Sequence, residues 1–288
     1  MFKETLQRYI TMIEQFLAQL PWDKDILNQS MYYSLMGGGK RIRPVLALAS
    51  AEAVGGDPKK IIAAAASLEF IHTYSLIHDD LPAMDNDDYR RGRLSNHKVY
   101  GEANAILAGD GLLTYAFELL ADPGLDQPET QLRIIREVAA AAGKTGMVGG
   151  QVADVIGEGK TLTLNEIKEI HKAKTGALLT VSARLGGILA GGTEKQVEAL
   201  TEYAQAVGLA FQIKDDILDV VGDSEILGKP AGSDLRQGKS TYVSLLGIEG
   251  AKREMHAQIL KAQSALKLFD EGAVFLRELA NYIEQRQH

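Results

Sequence analysis

Ile77-His78-Asp79-Asp80-Leu81-Pro82-Ala83-Met84-Asp85-Asn86-Asp87-Asp88-Tyr89-Arg90-Arg91-Gly92-Arg93 is the stretch from which the fold is read. Five carboxylates lie between Asp79 and Asp88, and three arginines follow. Upstream, Leu68 to Ile77 has the apolar pattern of a helix, so Asp79 and Asp80 project from its C-terminal end. A helix C-terminus carries partial negative charge and repels acids. Acids placed there call for a cation, and hard oxygen ligands suit Mg2+, which takes one or two carboxylates plus substrate phosphates. Arginine guanidinium groups bind phosphate oxygens in pairs.

A second segment repeats the arrangement. Ile213-Lys214-Asp215-Asp216-Ile217-Leu218-Asp219 places an Asp-Asp pair near the end of another helix, followed by a loop holding Gly228-Lys229 and Gly238-Lys239. Two acid-tipped helices, each followed by cations, are expected to face one shared cavity. A third cluster is basic. Gly37-Gly38-Gly39-Lys40-Arg41-Ile42-Arg43-Pro44 puts three cations where a helix begins, and free backbone N–H groups and the helix dipole favour a dianion there.

The rest of the chain reads as helices. Phe2 to Leu20 is amphipathic and stops at Pro21; Ile26 to Leu35 follows, then a helix opened by Pro44 and running to Val54. Asp57-Pro58 caps a fourth, running to Ile77. Further helices are expected over Ala105–Leu120, Leu132–Ala142 and Met147–Ile156. Thr163-Leu164-Asn165-Glu166 is a capping box for the next, which Lys174-Thr175-Gly176 interrupts before Ala177–Leu189. Glu194–Val221 is one long helix carrying the second acidic pair, and Gly222–Lys239 is a glycine-rich loop of lid character. Tyr242–Leu246, Lys252–Phe269 and Ala273–Gln285 close the chain. No alternating strand stands out. The expectation is an all-α protein, a single-domain helical bundle of ten or more helices around a central cavity, over residues 1–288. Glycines within the helical patterns (Gly109, Gly149, Gly150, Gly186, Gly187, Gly208) mark close helix approach, and Tyr115, Phe117 and Phe211 read as core packing.

At 288 residues, 45% hydrophobic and 24% charged, the composition is that of a globular protein able to bury a large core. A net charge of −7 argues against a nucleic-acid surface and makes a local basic cluster more informative. Zero cysteines exclude disulfides and thiolate metal sites, and fit a cytoplasmic setting. No long uninterrupted apolar run predicts a transmembrane segment, and Glu4 and Glu14 break any signal-peptide pattern. No serine or cysteine with a paired base points to covalent catalysis.

With Asp79-Asp80-x4-Asp85, Arg90-Arg91-Gly92 and Asp215-Asp216-x2-Asp219 in order, the chain resembles the trans-isoprenyl diphosphate synthases over essentially its whole length. The resemblance implies small-molecule isoprenyl diphosphates as substrates, three Mg2+ ions per site (Mn2+ as an alternative) and a homodimer, for which Ala105–Leu120 and Leu132–Ala142 are candidate faces. By resemblance, Asp79, Asp80 and Asp85 hold metals on the allylic diphosphate, and Asp215, Asp216 and Asp219 form the second metal motif. Arg90, Lys174, Thr175, Gln212, Lys229 and Lys239 match allylic-diphosphate and lid residues. Lys40, Arg41, Arg43, His72 and Arg91 are similar to the isopentenyl diphosphate site, and Gln151 and Asp154 match a Gln-x-x-Asp pattern. His72 precedes Asp79 by about two helical turns and so shares its face. Ser75 is small and points nearly as Asp79 does, which leaves room for a growing chain. A bulky aromatic at the Tyr74 position goes, in the bacterial type of this family, with a product that stops at C15; a small residue there goes with the C20 product. Terpene cyclases share the first acidic motif, yet usually carry an Asn/Asp-Ser/Thr-Glu second motif and need no second diphosphate pocket. A non-catalytic helical regulatory subunit would be expected to have lost acids from one motif, and both are whole here.

Overall fold

The helix that presents Asp79 is buried on nearly every side. The computed structural model describes residues 2–122, 124, 127–221 and 239–286. Helix α4 (Ile62–Asp79) has Ala64, Ala65, Ala66, Leu68, Phe70, Ile71, Tyr74 and Ile77 all buried. A 3-10 turn, Pro58–Ile61, leads into it, with the Asp57 side chain accepting from the Lys59 N–H at 2.9 Å. Residues 58–79 are long and apolar enough by composition to cross a membrane, but two-thirds of that window is buried inside the protein, and the burial accounts for the hydropathy.

Around α4 stand α1 (Phe2–Gln19), α2 (Ile26–Leu35), α3 (Ile42–Ala53), α6 (Glu102–Leu120) and α10 (Ala177–Leu189); the short α5 (Asn96–Tyr100) packs on α2 and α6, and α7 (Pro128–Ala142) packs on α10. α8 (Met147–Gly157) and α9 (Leu164–His171) lead to α10. The long α11 (Glu194–Val221) packs on α10 and most extensively on α12 (Tyr242–Ala265), with α13 (Val274–Gln285) across its end. Small residues set the spacing. A Cβ at Gly186 would sit 2.0 Å from the Ala47 carbonyl oxygen, so α3 and α10 touch backbone to backbone. Trp22 follows α1, donates to the Leu17 carbonyl at 2.8 Å, and stacks on Phe70 of α4 with ring centroids 6.3 Å apart.

The all-α expectation holds, and the differences are local. α3 starts at Ile42 rather than Pro44, because Arg41 takes a left-handed conformation (φ 49°) that turns the chain into the helix two residues earlier. Pro44 is tolerated there because the first-turn N–H groups have no intrahelical partner. α4 runs on to Asp79, with Asp80 as its C-cap. The capping box at Thr163–Glu166 forms as read, and α11 has the expected bounds. The Lys174 region is not a break. Lys172–Gly176 is a π-helical turn joining α9 to α10. α12 spans two helical stretches that meet in a kink at Gly247 (φ 67°), so the sequence reading of two helices holds, with the second starting earlier than the expected Lys252. The strand-free reading misses one feature, a two-residue hairpin pairing β1 (Tyr89–Arg90) with β2 (Arg93–Leu94). Its turn residues Arg91 (φ 54°) and Gly92 (φ 74°) both lie in the left-handed region, as a tight hairpin of matching twist requires.

Candidate active site

The acidic stretch folds back on the helix that carries it. The Asp85 N–H donates to the Asp79 carbonyl at 2.8 Å, which returns the third aspartate to the first two. Asp80 is buried and Asp79 half-buried, while Asp85 is exposed. Burial pushes the Asp79 carboxyl up to about 6; Asp85 and Asp80 add to the effect, and Lys174 and Arg90 oppose it. Burial also raises Asp80, against the pull of its ion pair with Arg90. The hairpin makes that pair possible by turning Arg90 back toward the helix end.

Arg91, on the same turn, reaches the other way and donates to the Gly38 carbonyl. Gly39 lies against the Arg91 guanidinium, and its backbone angle (φ 129°) is one that favours glycine. Between these segments lies a cavity of about 580 Å3 lined by the 37–43 loop, Glu69, His72, Arg91, Thr175, Leu179, Phe211 and Gln212. Its cations crowd one another. Burial holds Arg43 down at about 10, with Arg91 adding repulsion and Glu69 opposing, and the buried Arg43 Nε has no partner. Burial, then Arg43 and Arg91, depresses His72 well below the usual histidine range, so the imidazole is neutral. Packed cations with an orphaned donor make a site that an anion would relieve.

Arg41 departs from the expected arrangement. Its guanidinium turns inward, donates to Glu69 at 2.8 Å and to the Leu35 carbonyl at 2.7 Å, and the residue is 2% exposed. Its charge is committed to the core. Phe211 packs against the core, as read, and also lines the cavity.

The far wall comes from the π turn. Lys174 Nζ is 2.7 Å from Asp154 of α8, and electrostatically within reach of Asp79. Thr175 donates to Gln212 of α11 at 3.1 Å. α8 can approach this closely only because residue 150 is glycine, since a Cβ there would lie 2.2 Å from the Lys174 amide nitrogen. Gln151 Oε1 is buried without a partner beside this wall. One turn past Gln212, Asp215 is ion-paired with Arg286. Asp216 accepts from the Tyr242 N–H at 2.8 Å, and Asp219 is buried on the same helix. Lys40 is electrostatically coupled to both Arg286 and Asp215, which ties the basic loop to the second acidic cluster.

Tyr74 is 7% exposed and lies edge-on to His78, ring centroids 5.8 Å apart, and His78 Nε2 is 3.0 Å from the Ile106 carbonyl of α6. Ser75 donates to the His72 carbonyl at 2.9 Å. Lys239 lies at the start of the described segment before α12, whereas Lys229 and most of the Gly222–Lys239 loop fall outside the described residues. Arg286 and Tyr242 carry no sequence signal toward this site. Among the described residues no three acids or histidines form a ready-made metal cluster, and arginines or a backbone N–H engage Asp80, Asp215 and Asp216. The donor set nonetheless suits a hard divalent cation, with Asp79, Asp80 and Asp85 brought together at one helix end.

Known proteins resemble this chain in sequence and in fold. Residues 24–271 match the sequence model of the polyprenyl synthetase family. The chain belongs to that family. It is 50% identical to the farnesyl diphosphate synthase of Geobacillus stearothermophilus over 264 residues, 91% of this chain and 89% of that one. It is 45% identical to the farnesyl diphosphate synthase of Bacillus subtilis over 288 residues, 99% and 96% of the two chains. Among solved structures, the geranylgeranyl pyrophosphate synthetase of Pyrococcus horikoshii superposes with a TM-score of 0.90 at 34% identity, over 99% of each chain. Polyprenyl synthetases of known structure therefore share this helical fold from end to end.

Proposed function

We propose that this polyprenyl synthetase, as one domain, condenses isopentenyl diphosphate with dimethylallyl or geranyl diphosphate to give farnesyl diphosphate. The observation that carries the reading is a cationic cavity walled by the two helices that carry the aspartate pairs, through Glu69 and His72 of α4 and Phe211 and Gln212 of α11, with Lys40 electrostatically linked to Asp215. Asp79, Asp80, Asp85, Asp215, Asp216 and Asp219 would hold three Mg2+ ions, with Mn2+ as a substitute. Bound there, the ions supply Lewis-acid neutralisation of charge on the leaving diphosphate. Arg90, Lys174, Thr175, Gln212, Lys229 and Lys239 bind and orient the allylic diphosphate. Lys40, Arg43, His72 and Arg91 hold the diphosphate of the condensing partner. Arg41 acts there through the backbone it anchors, with its guanidinium on Glu69.

Ionisation of the allylic carbon–oxygen bond leaves a carbocation, the double bond of isopentenyl diphosphate attacks it, and a proton leaves the adjacent carbon. The departed diphosphate can accept that proton, so no protein base is required. The side chains align the two diphosphates and, with the apolar walls, exclude the water that would quench the cation. Asp154 steadies Lys174 through their 2.7 Å ion pair.

The C15 product is favoured by the farnesyl diphosphate synthases among the relatives and by Tyr74 as an aromatic floor. A C20 product is the second reading, since the Pyrococcus neighbour is a geranylgeranyl pyrophosphate synthetase. A homodimer is supported by apolar side chains left exposed on α6, Ile106 and Leu107 among them. Zero cysteines fit a cytoplasmic enzyme acting on small molecules rather than nucleic acid. The test is incubation of the purified protein with Mg2+, labelled isopentenyl diphosphate and each starter, followed by chromatography of the dephosphorylated products. A dominant C15 alcohol is the expected result. No consumption of isopentenyl diphosphate with either starter overturns the proposal.

A further inference from the structure

Arg286 follows the last turn of α13 and crosses to the acidic end of α11. Its guanidinium forms an ion pair with Asp215, donates to the Phe211 carbonyl at 3.2 Å, and lies 4.1 Å over the Phe211 ring. The side chain is 4% exposed, against 45% for Asp215. The Arg286 Nε is buried without a partner. Lys40, at the mouth of the basic cavity, is within electrostatic reach of both members of the pair. One buried guanidinium thus stands at the junction of the second acidic cluster and the cationic cavity.

A guanidinium and a divalent cation seek the same carboxylate oxygens, and the Asp215 oxygen that pairs with Arg286 must be released before it ligates a metal. Mg2+ sheds its water reluctantly and gains little from an acid that is already neutralised. We infer that Arg286 holds Asp215 in place of a divalent cation, so that metal loads at the second acidic cluster by exchange with this guanidinium. The inference rests on the reading of Asp215 as a metal-holding residue. Phe211 adds to the hold on Asp215, because the stacked guanidinium loses ring contact as well as the carboxylate when it leaves. The same residue sets how much cation the enzyme demands, since every contact that holds Arg286 on Asp215 is subtracted from the affinity for metal.

The measurement is Mn2+ binding, followed by the electron paramagnetic resonance signal of free Mn2+, with the full chain and no organic substrate. The variants are Arg286→Gln, Arg286→Lys, Asp215→Asn and Arg286→Gln combined with Asp215→Asn. Exchange predicts that Arg286→Gln tightens binding at the second cluster by about fivefold or more, the lower end of ordinary coupling between two ligands. Arg286→Lys keeps the charge but loses the fork and the ring stack, so it should also tighten binding, by about twofold to threefold. Asp215→Asn should remove the affected sites, and the double variant should match it. Wild-type Mn2+ affinity in Arg286→Lys would mean that only through-space repulsion is at work, and the inference fails. Weaker binding in either arginine variant overturns it too. If the unaltered protein binds no Mn2+ at all, it is the metal-holding role of the acids that fails instead.

Discussion

Asp79 carries the first prediction, because it combines half-burial, a carboxyl pushed up to about 6 and a position within reach of Lys174. Asp79→Ala should lower kcat by about two to three orders of magnitude, as loss of one stabilising group at a developing charge typically does, while the melting temperature stays near wild type. Steady-state kinetics with geranyl diphosphate, set beside a thermal melt, would check both halves. Arg41 is expected to do the reverse. It is a buried cation paired with Glu69, so Arg41→Ala should cost about 3–5 kcal/mol of stability, read by urea unfolding. Tyr74→Ala should lengthen the product beyond C15, and an unchanged C15 alcohol would remove Tyr74 from the floor of the chain-length pocket. His171 has a pH signature. Burial and Lys174 depress it to about 4, with Asp154 opposing, so it is neutral in the folded protein but gains a proton below about 6.5 when unfolded. Stability from this group is whole above pH 6.5 and declines between 6.5 and 4, by up to about 3 kcal/mol. Asp79 acts in the opposite sense, since its raised carboxyl takes up a proton in the folded state first. The comparison is therefore with His171→Gln, whose unfolding free energy should fall less steeply over that interval.

The residue types at the site are readable in the sequence because paired acids at a helix end oppose the helix dipole and need a cation to offset them. Directions are not readable. Whether Arg41 points into the cavity or the core depends on one left-handed backbone angle, and no spacing rule reports it. Nor does local sequence reveal that Arg286 meets Asp215, since the two lie 71 positions apart.

Among the elements, those with their own punctuation are legible. Thr163 and Glu166 satisfy each other's backbone groups and mark the start of α9 from sequence alone. The hairpin escapes a pattern search although Arg91-Gly92 is a turn signature, because two paired residues on each side give no alternation. At Lys174 the sequence shows that the helix deviates, and the fold shows how: the chain absorbs an extra residue instead of stopping. That extra residue is what aims Lys174 at Asp154 and Thr175 at Gln212. Deleting Ala173 should restore a regular α-helix, rotate both side chains off the site by about 100° and reduce kcat by at least tenfold. Circular dichroism should show the helix content retained, and a deletion variant with wild-type turnover would refute this role for the turn.

For the molecule as a whole, the core is foreseeable from length and composition, whereas the cavity is not. It lies where a loop before α3, a hairpin turn, a π turn and a long helix happen to meet, and no one of them encloses it. Assembly is a further question of surface. Ile106 and Leu107 are 44% and 56% exposed, uncommon for adjacent aliphatic residues unless something covers them. Replacing both with glutamate should shift the protein from dimer to monomer in analytical ultracentrifugation, and a monomeric wild type would end that assignment.

The chain has one tryptophan, Trp22, and it rests flat on Phe70, two residues before His72 on the helix that ends in Asp79. Its emission is accordingly a native optical probe of that helix. Binding at the far end could be followed in a cuvette by intrinsic fluorescence, in real time and without attaching a dye.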